Sequence, residues 1–144
     1  MGETVAQTIC GNRTAYNPGH WFNSAKFLDI EYQTYGWIFK APREGERHFY
    51  WEHSNGKICV NINHSAETGK FIGINTFGIR MRHELFDKWL KEERDIEYVL
   101  THLRDANFDP EFYKTFEGEI IEKYNTEFSK SLTLKKRSLS RIFG

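Results

Sequence analysis

Residues 47–64 read RHFYWEHSNGKICVNINH, and this stretch carries the clearest fold signal in the chain. Two runs rich in aromatic and β-branched residues flank Asn55-Gly56, the pair most typical of a tight β-hairpin. Because both central residues of a type I′ turn need a positive φ, the sequence predicts that turn here. In the second run Val60 and Ile62 alternate with polar residues, so one face of the hairpin is expected in the core.

Further strand-like segments lie on both sides of this hairpin. Residues 29–39 (DIEYQTYGWIF) are rich in β-formers, with Gly36 as a candidate bulge, and residues 70–77 (KFIGINTF) follow a turn at residues 67–69. Four consecutive strands at such short spacing predict an antiparallel meander. Before them, residues 3–10 are typical of the last turns of a helix that ends at Gly11-Asn12.

After residue 80 the apolar period changes from two to three or four, which indicates helices. The predicted core-facing positions are Leu85, Phe86, Trp89 and Leu90 in a first helix, Ile96, Val99, Leu100 and Leu103 in a second, and Phe112, Phe116, Ile120 and Tyr124 in a third. Asp95 is expected to cap the second helix and Asp109-Pro110 to begin the third. Strands followed by helices predict an α+β fold: an antiparallel sheet of about four to five strands followed by two to three helices on one face.

Composition excludes several classes of function. The chain has 144 residues, enough for one modest core, and its 20 basic and 20 acidic residues argue against nucleic acid as a partner. Cys10 and Cys59 are distant in sequence and no secretory leader precedes them, which favours a cytoplasmic protein. The nearest approach to a zinc motif, at residues 83–87, has Asp87 where the second histidine belongs, so no metal site is expected. No motif identifies a catalytic residue.

Residues 128–144 carry five basic and no acidic residues, whereas residues 1–127 are net acidic. Such a tail is compatible with a short basic amphipathic helix that contacts a membrane or a partner protein. The alternative, which we favour, is a terminus ordered only by the rest of the protein. Membrane contact by the tail is therefore not expected.

The aromatic stretch WFNSAKFLDIEYQTYG at residues 21–36 has two interpretations that composition alone leaves open. Its rings either fill the core or form the wall of a site for a flat ligand. A weaker alternative is a small-ligand pocket lined by Trp37, Tyr50 and Trp51.

Several short motifs follow one another along the chain: the aromatic-Ser segment Phe22-Asn23-Ser24, then Asp29-Ile30, Gln33 and Gly36, and the strand Gly69-Lys70-Phe71-Ile72-Gly73 followed by Gly78. In order and spacing they resemble the C-terminal domain of FAD-dependent pyridine nucleotide-disulfide oxidoreductases. The likeness is to the branch with ferredoxin reductases and apoptosis-inducing-factor-like proteins. In its members a helix similar to residues 2–11 and a linker similar to residues 11–16 connect the FAD domain to this C-terminal domain. The segment that supplies the base in disulfide-reducing members is absent, so that reaction is not expected.

The resemblance implies that residues 1–16 are the end of an upstream FAD-domain helix and its linker, residues 17–127 a C-terminal α+β interface domain and residues 128–144 the basic tail. FAD and NAD(P)H would belong to upstream domains of the same polypeptide, because this chain has no G-x-G-x-x-G and would bind neither alone. Trp21 and Phe22 would wall the flavin, and Asn23 and Lys26 would meet its polar edge. The domain would cap the flavin or form a homodimer interface. The alternative is a free-standing α+β protein-interaction module.

Overall fold

The computed structural model of the chain describes residues 2–28, 30–108 and 114–136. The predicted hairpin is present: β3 (Glu46–Glu52) pairs antiparallel with β4 (Cys59–Ser65). The predicted type I′ turn is wrong, because Gly56 has a φ of 66° but Asn55 does not have a positive φ. The Gly56 amide donates to the carbonyl of His53 at 3.0 Å, and the Asn55 side chain accepts from the amide of Lys57 at 2.9 Å. These local bonds close a longer loop that needs only one residue in the left-handed region.

The sheet has five strands in the order β1-β2-β5-β4-β3, with β1 at Phe22–Phe27, β2 at Ile30–Gly36 and β5 at Phe71–Phe77. All neighbouring pairs are antiparallel. The predicted α+β class is therefore confirmed, but the predicted four-strand meander is wrong. Strands β3, β4 and β5 do follow one another, whereas β2 pairs with β5 at the centre of the sheet and not with β3.

Two glycines allow the crossing that produces this strand order. Gly36 ends β2 with a φ of 65° and pairs with Gly73 of β5. A Cβ on Gly73 would lie 2.6 Å from the carbonyl oxygen of Trp37 and 2.8 Å from its nitrogen. The chain therefore passes closely over β5 at this point, and residues 37–45 then lead to the far edge of the sheet, where β3 begins.

One face of the sheet packs against the helices and forms the core. Its buried side chains are Tyr35, Phe49, Trp51, Val60, Ile62, Phe71 and Ile74. They meet α2 (His83–Lys91), α3 (Ile96–Thr101), α4 (Leu103–Ala106) and α5 (Glu117–Phe128). The predicted positions in the first two helices are in this core, and the Asp95 side chain accepts from the amide of Tyr98 at 2.7 Å, which confirms the predicted cap.

The third predicted helix differs from the observed one at its start. Residues 114–116 are not helical, and α5 begins at Glu117 with Phe116 at the N-cap position. Asp109, Pro110 and Phe112 lie outside the described residues. Phe116, Ile120 and Tyr124 are buried as predicted, although Phe116 precedes the helix. Glu117 is 3% exposed and accepts a 2.8 Å hydrogen bond from buried Asn107, so a polar contact fixes the start of α5.

The first part of the tail is extended along the helical layer. The side-chain amide of Asn125 both donates to the carbonyl of Leu132 and accepts from its N–H, each at 2.9 Å, and the amide of Lys135 donates to the carbonyl of Thr101. Residues 130–136 are therefore not helical, and the other residues of the tail lie outside the described ones. At the other end of the chain, α1 (Gly2–Ile9) has no buried residue. Within the described ranges, none of the helices has the length and apolar character needed to cross a bilayer.

Candidate functional site

The four residues predicted to contact a flavin lie in or next to β1, and the strand divides them between its two faces. Partners in adjacent antiparallel strands share a face, so Phe22, which pairs with buried Tyr35, belongs to the helix side. Lys26 is four residues further on and also lies on that side. Asn23 lies on the opposite, open face, as does Trp21, whose carbonyl accepts from the amide of Gly36 at 2.8 Å. The structure therefore places Trp21 and Asn23 on the open face, and Phe22 and Lys26 on the helix side.

On the open face Trp21 begins a row of stacked rings that we term the aromatic strip (Trp21, Trp37 and Phe39). The Trp21 and Trp37 ring centroids are 6.1 Å apart at an interplanar angle of 18°, and those of Trp37 and Phe39 are 6.3 Å apart at 5°. The guanidinium carbon of Arg43 lies 4.5 Å from the Phe39 centroid. Trp21 is 51% exposed and Trp37 53% exposed. The strip is thus ordered by its own contacts while it presents apolar surface.

Phe22 is in different surroundings on the helix side. Its ring centroid lies 4.6 Å from that of Tyr35 and 5.0 Å from that of His83, the first residue of α2. Burial, with Asp87 and Glu84 nearby, raises the pKa of Tyr35 well above its ordinary value. Phe22 is therefore a ring that packs a strand edge onto a helix. Within the part of the chain that the structure describes, the side chains of Asn23 and Lys26 make no hydrogen bond or ion pair.

A polar clamp holds the segment that carries the strip. Glu46 is 9% exposed in its side chain and accepts two bonds from the Arg43 guanidinium, at 3.0 and 2.7 Å. Buried Asn63 donates 3.0 Å bonds both to the second Glu46 oxygen and to the carbonyl of Trp37. Because Arg43 and then Asn63 stabilise the charged carboxylate, they outweigh the effect of burial and lower the pKa of Glu46 from 4.5 to about 2.

This clamp predicts acid sensitivity. A carboxylate with a lowered pKa in the folded state stabilises the fold above its unfolded pKa, and that contribution disappears as the pH falls through the folded value. We expect the urea concentration at which half of the native chain is unfolded to decrease as the pH is lowered from 4.5 to about 2. Glu46→Gln should remove part of that pH dependence. Glu44→Gln, at an exposed acid in the same loop, is the control. Identical pH profiles for the native chain and Glu46→Gln would contradict the clamp.

The open face also bears a pocket of about 510 Å³, near the end opposite to the strip. It is lined by Ile30, Tyr50, Glu52, Gly56, Lys57, Ile58, Cys59, Phe77 and Gly78. Tyr50 donates a 2.8 Å bond to Glu52, and burial raises the pKa of the Cys59 thiol. The predicted pocket of Trp37, Tyr50 and Trp51 is wrong, because adjacent strand residues face apart. Trp51 is 5% exposed and lies in the core.

Sequence reasoning singled out Trp21 but not the residues that hold the strip in place. Arg43 and Glu46 lie three residues apart, and Asn63 is in the strand that pairs with β3. Only the bond from Asn63 to the carbonyl of Trp37 depends on the crossing of the chain over β5. The available signal was Gly36, which was predicted as a bulge and marks where that crossing begins. Among the described residues no group of three or more His, Cys, Asp or Glu side chains could hold a metal ion. Comparison with models of protein families finds no match, and comparison with curated proteins finds none either.

Proposed function

We propose that the chain is the C-terminal domain of an FAD- and NAD(P)H-dependent oxidoreductase and that it caps the flavin with the strip end of its open face. The motif series at residues 2–78 supports the family. The observation that carries the proposal is the exposed ring of Trp21, which immediately precedes β1 and follows the segment similar to the family's linker. A half-exposed tryptophan held in position by a second ring is suited to covering a flat apolar partner.

The chemistry of the residues decides which of the predicted contacts can act together. Trp21 and Asn23 share the open face, so they can meet one planar ring, with the indole excluding water and the amide hydrogen bonding at a polar edge. Phe22 and Lys26 face the helix side and would contact a different surface. Bound FAD supplies the hydride chemistry, and this chain contributes positioning and exclusion of water. The chain supplies no catalytic group of its own in this proposal.

Reconstitution tests this function. The chain is mixed with separately expressed upstream FAD- and NAD(P)-binding domains, and flavin reduction by NAD(P)H is followed by loss of flavin absorbance. If the Trp21 side chain lowers the activation free energy of flavin reduction by about 1 kcal/mol, Trp21→Ala lowers the rate about fivefold. Tyr50→Ala is the control, because it truncates another exposed ring on the same face near the far edge. With this variant the flavin should be reduced at the native rate. Unchanged kinetics for Trp21→Ala would count against flavin capping.

A free-standing α+β protein-interaction module is the second candidate, and the open face also favours it. No element of the described residues covers the large apolar side chains on that face, namely Trp21, Phe27, Ile30, Tyr50 and Phe77. An exposed apolar patch of this kind typically marks an interaction surface. The gene separates the two candidates: an in-frame upstream sequence encoding dinucleotide-binding domains supports the oxidoreductase, whereas a stop codon directly upstream supports the module.

A further inference from the structure

The two edges of the sheet differ in how well they are protected. Strand β3, at one edge, carries Glu46, Arg47 and Glu52, and charged residues on an edge discourage further strand pairing. Strand β1, at the other edge, reads FNSAKF, contains no proline and has one charge, Lys26. All six of its residues are exposed. An edge of this kind presents unpaired backbone groups that another strand can join.

The backbone pattern shows which groups of β1 are unpaired. In an antiparallel pair, alternate residues direct both their N–H and C=O groups toward the neighbour. The carbonyl of Trp21 accepts from Gly36 of β2, so residues 21, 23, 25 and 27 direct their groups toward β2. Phe22, Ser24 and Lys26 therefore direct theirs outward, away from the sheet.

We propose that β1 pairs antiparallel with β1 of a second copy of this chain, in a register centred on Ser24. A two-fold axis normal to the sheet leaves each residue on its own face, and residues paired across strands must share a face. The axis must therefore lie between a residue and the same residue of the second copy. Centring on Ser24 uses all three outward residues of each strand, for about six backbone hydrogen bonds. Centring on Asn23 or Ala25 leaves about four.

The side chains suit the same register. On the helix side Lys26 lies beside Phe22 of the second copy, where an ammonium can approach an aromatic face. On the open face Trp21 lies beside Phe27 of the second copy, and Phe27 is 71% exposed in the single chain. The only charged residue of β1 therefore meets a ring, and the two copies of Lys26 are kept apart by the Ser24 pair. In this register β1 therefore brings no like charges together, and rings lie beside partners on both faces.

This inference rests on the proposed function, since the family resemblance behind it also implies a homodimer interface, but its first test uses the chain alone. Sedimentation equilibrium at about 100 μM is expected to give the mass of two copies. Ser24→Pro removes an outward N–H without removing a bond to β2, and should weaken pairing at least tenfold with the circular dichroism of the fold retained. Ser24→Thr keeps the N–H and should pair as the native chain does. A native chain that stays monomeric, or a proline variant that pairs normally, would overturn the edge pairing.

Disulfide trapping tests the register without proline. In a Cys10→Ser background, Ser24→Cys puts one thiol on each of the two paired strands. The Cα atoms at this position are then about 5.5 Å apart, within the range for a disulfide. Ala25→Cys places the corresponding Cα atoms about 8 Å apart and should not cross-link. Cross-linking at Ala25 and not at Ser24 would overturn the register. If the chain does not pair, flavin capping is still tested by the rates of the reconstituted enzyme. The two proposals can therefore fail independently of each other.

Discussion

Replacing Gly73 with alanine is expected to cost about 3 kcal/mol or more in the free energy of unfolding. Its Cβ would lie 2.6 Å from the carbonyl oxygen of Trp37 and 2.8 Å from that of Tyr35. Both neighbours are backbone atoms and cannot rotate away, so the crossing segment must move off the sheet. That movement would also take the carbonyl of Trp37 away from the side-chain amide of Asn63, which donates to it at 3.0 Å.

Urea denaturation measures this loss, and near-ultraviolet circular dichroism reports the stacked pair of Trp21 and Trp37. Gly118→Ala is the matched control, since its Cβ meets nothing within 4 Å in helix α5. Because alanine has less conformational freedom to lose than glycine, that variant should be stabilised by about 0.5–1 kcal/mol. A stable Gly73→Ala chain that keeps its tryptophan signal would show that the close approach is absent.

The local parts of the fold could be predicted from sequence, because each carries its own pattern. Val60 and Ile62 alternate with polar residues and are fully buried, and Leu85, Phe86 and Trp89 repeat at helical spacing and are buried in α2. Asp95 caps α3 through a bond to Tyr98, only three residues away. In each case the residues that decide the structure lie within one element or one turn.

The parts that could not be predicted depend on contacts between distant residues. Strand order is set where Gly36 meets Gly73, and no local period reports that meeting. The sequence does not predict strand β1, because an edge strand with no buried residue shows no clear alternation. For the same reason the sequence predicts Trp21, Phe22, Asn23 and Lys26 together as one flavin contact. Once they are in a strand, Trp21 and Asn23 separate from Phe22 and Lys26.

Phe49→Ala should be the most destabilising of the simple core truncations on β3, with an expected cost of about 3–5 kcal/mol. Phe49 is 0% exposed, and its ring meets Tyr124 of α5 edge-on at 5.2 Å and Phe128 at 6.3 Å. The change leaves a cavity where α5 rests on the sheet, and the free energy of urea unfolding measures its cost. A loss below about 1 kcal/mol would mean that α5 does not depend on this contact.

Tyr50→Ala is the matched control, because it truncates the next ring along β3 but on the open face, where Tyr50 is 47% exposed. In the chain alone its cost should stay within about 1 kcal/mol, since the lost ring is half exposed and its bond to Glu52 lies on the surface. Because the upstream domains are proposed to cover only the strip end of the open face, the cost of Tyr50→Ala should stay about as small in the full polypeptide, and the cost of Phe49→Ala should also change little. The difference between the two variants, measured with and without the upstream domains, therefore reports whether those domains reach the far edge of the open face. A marked rise in the cost of Tyr50→Ala would extend the covered area beyond the strip end and contradict the proposed placement.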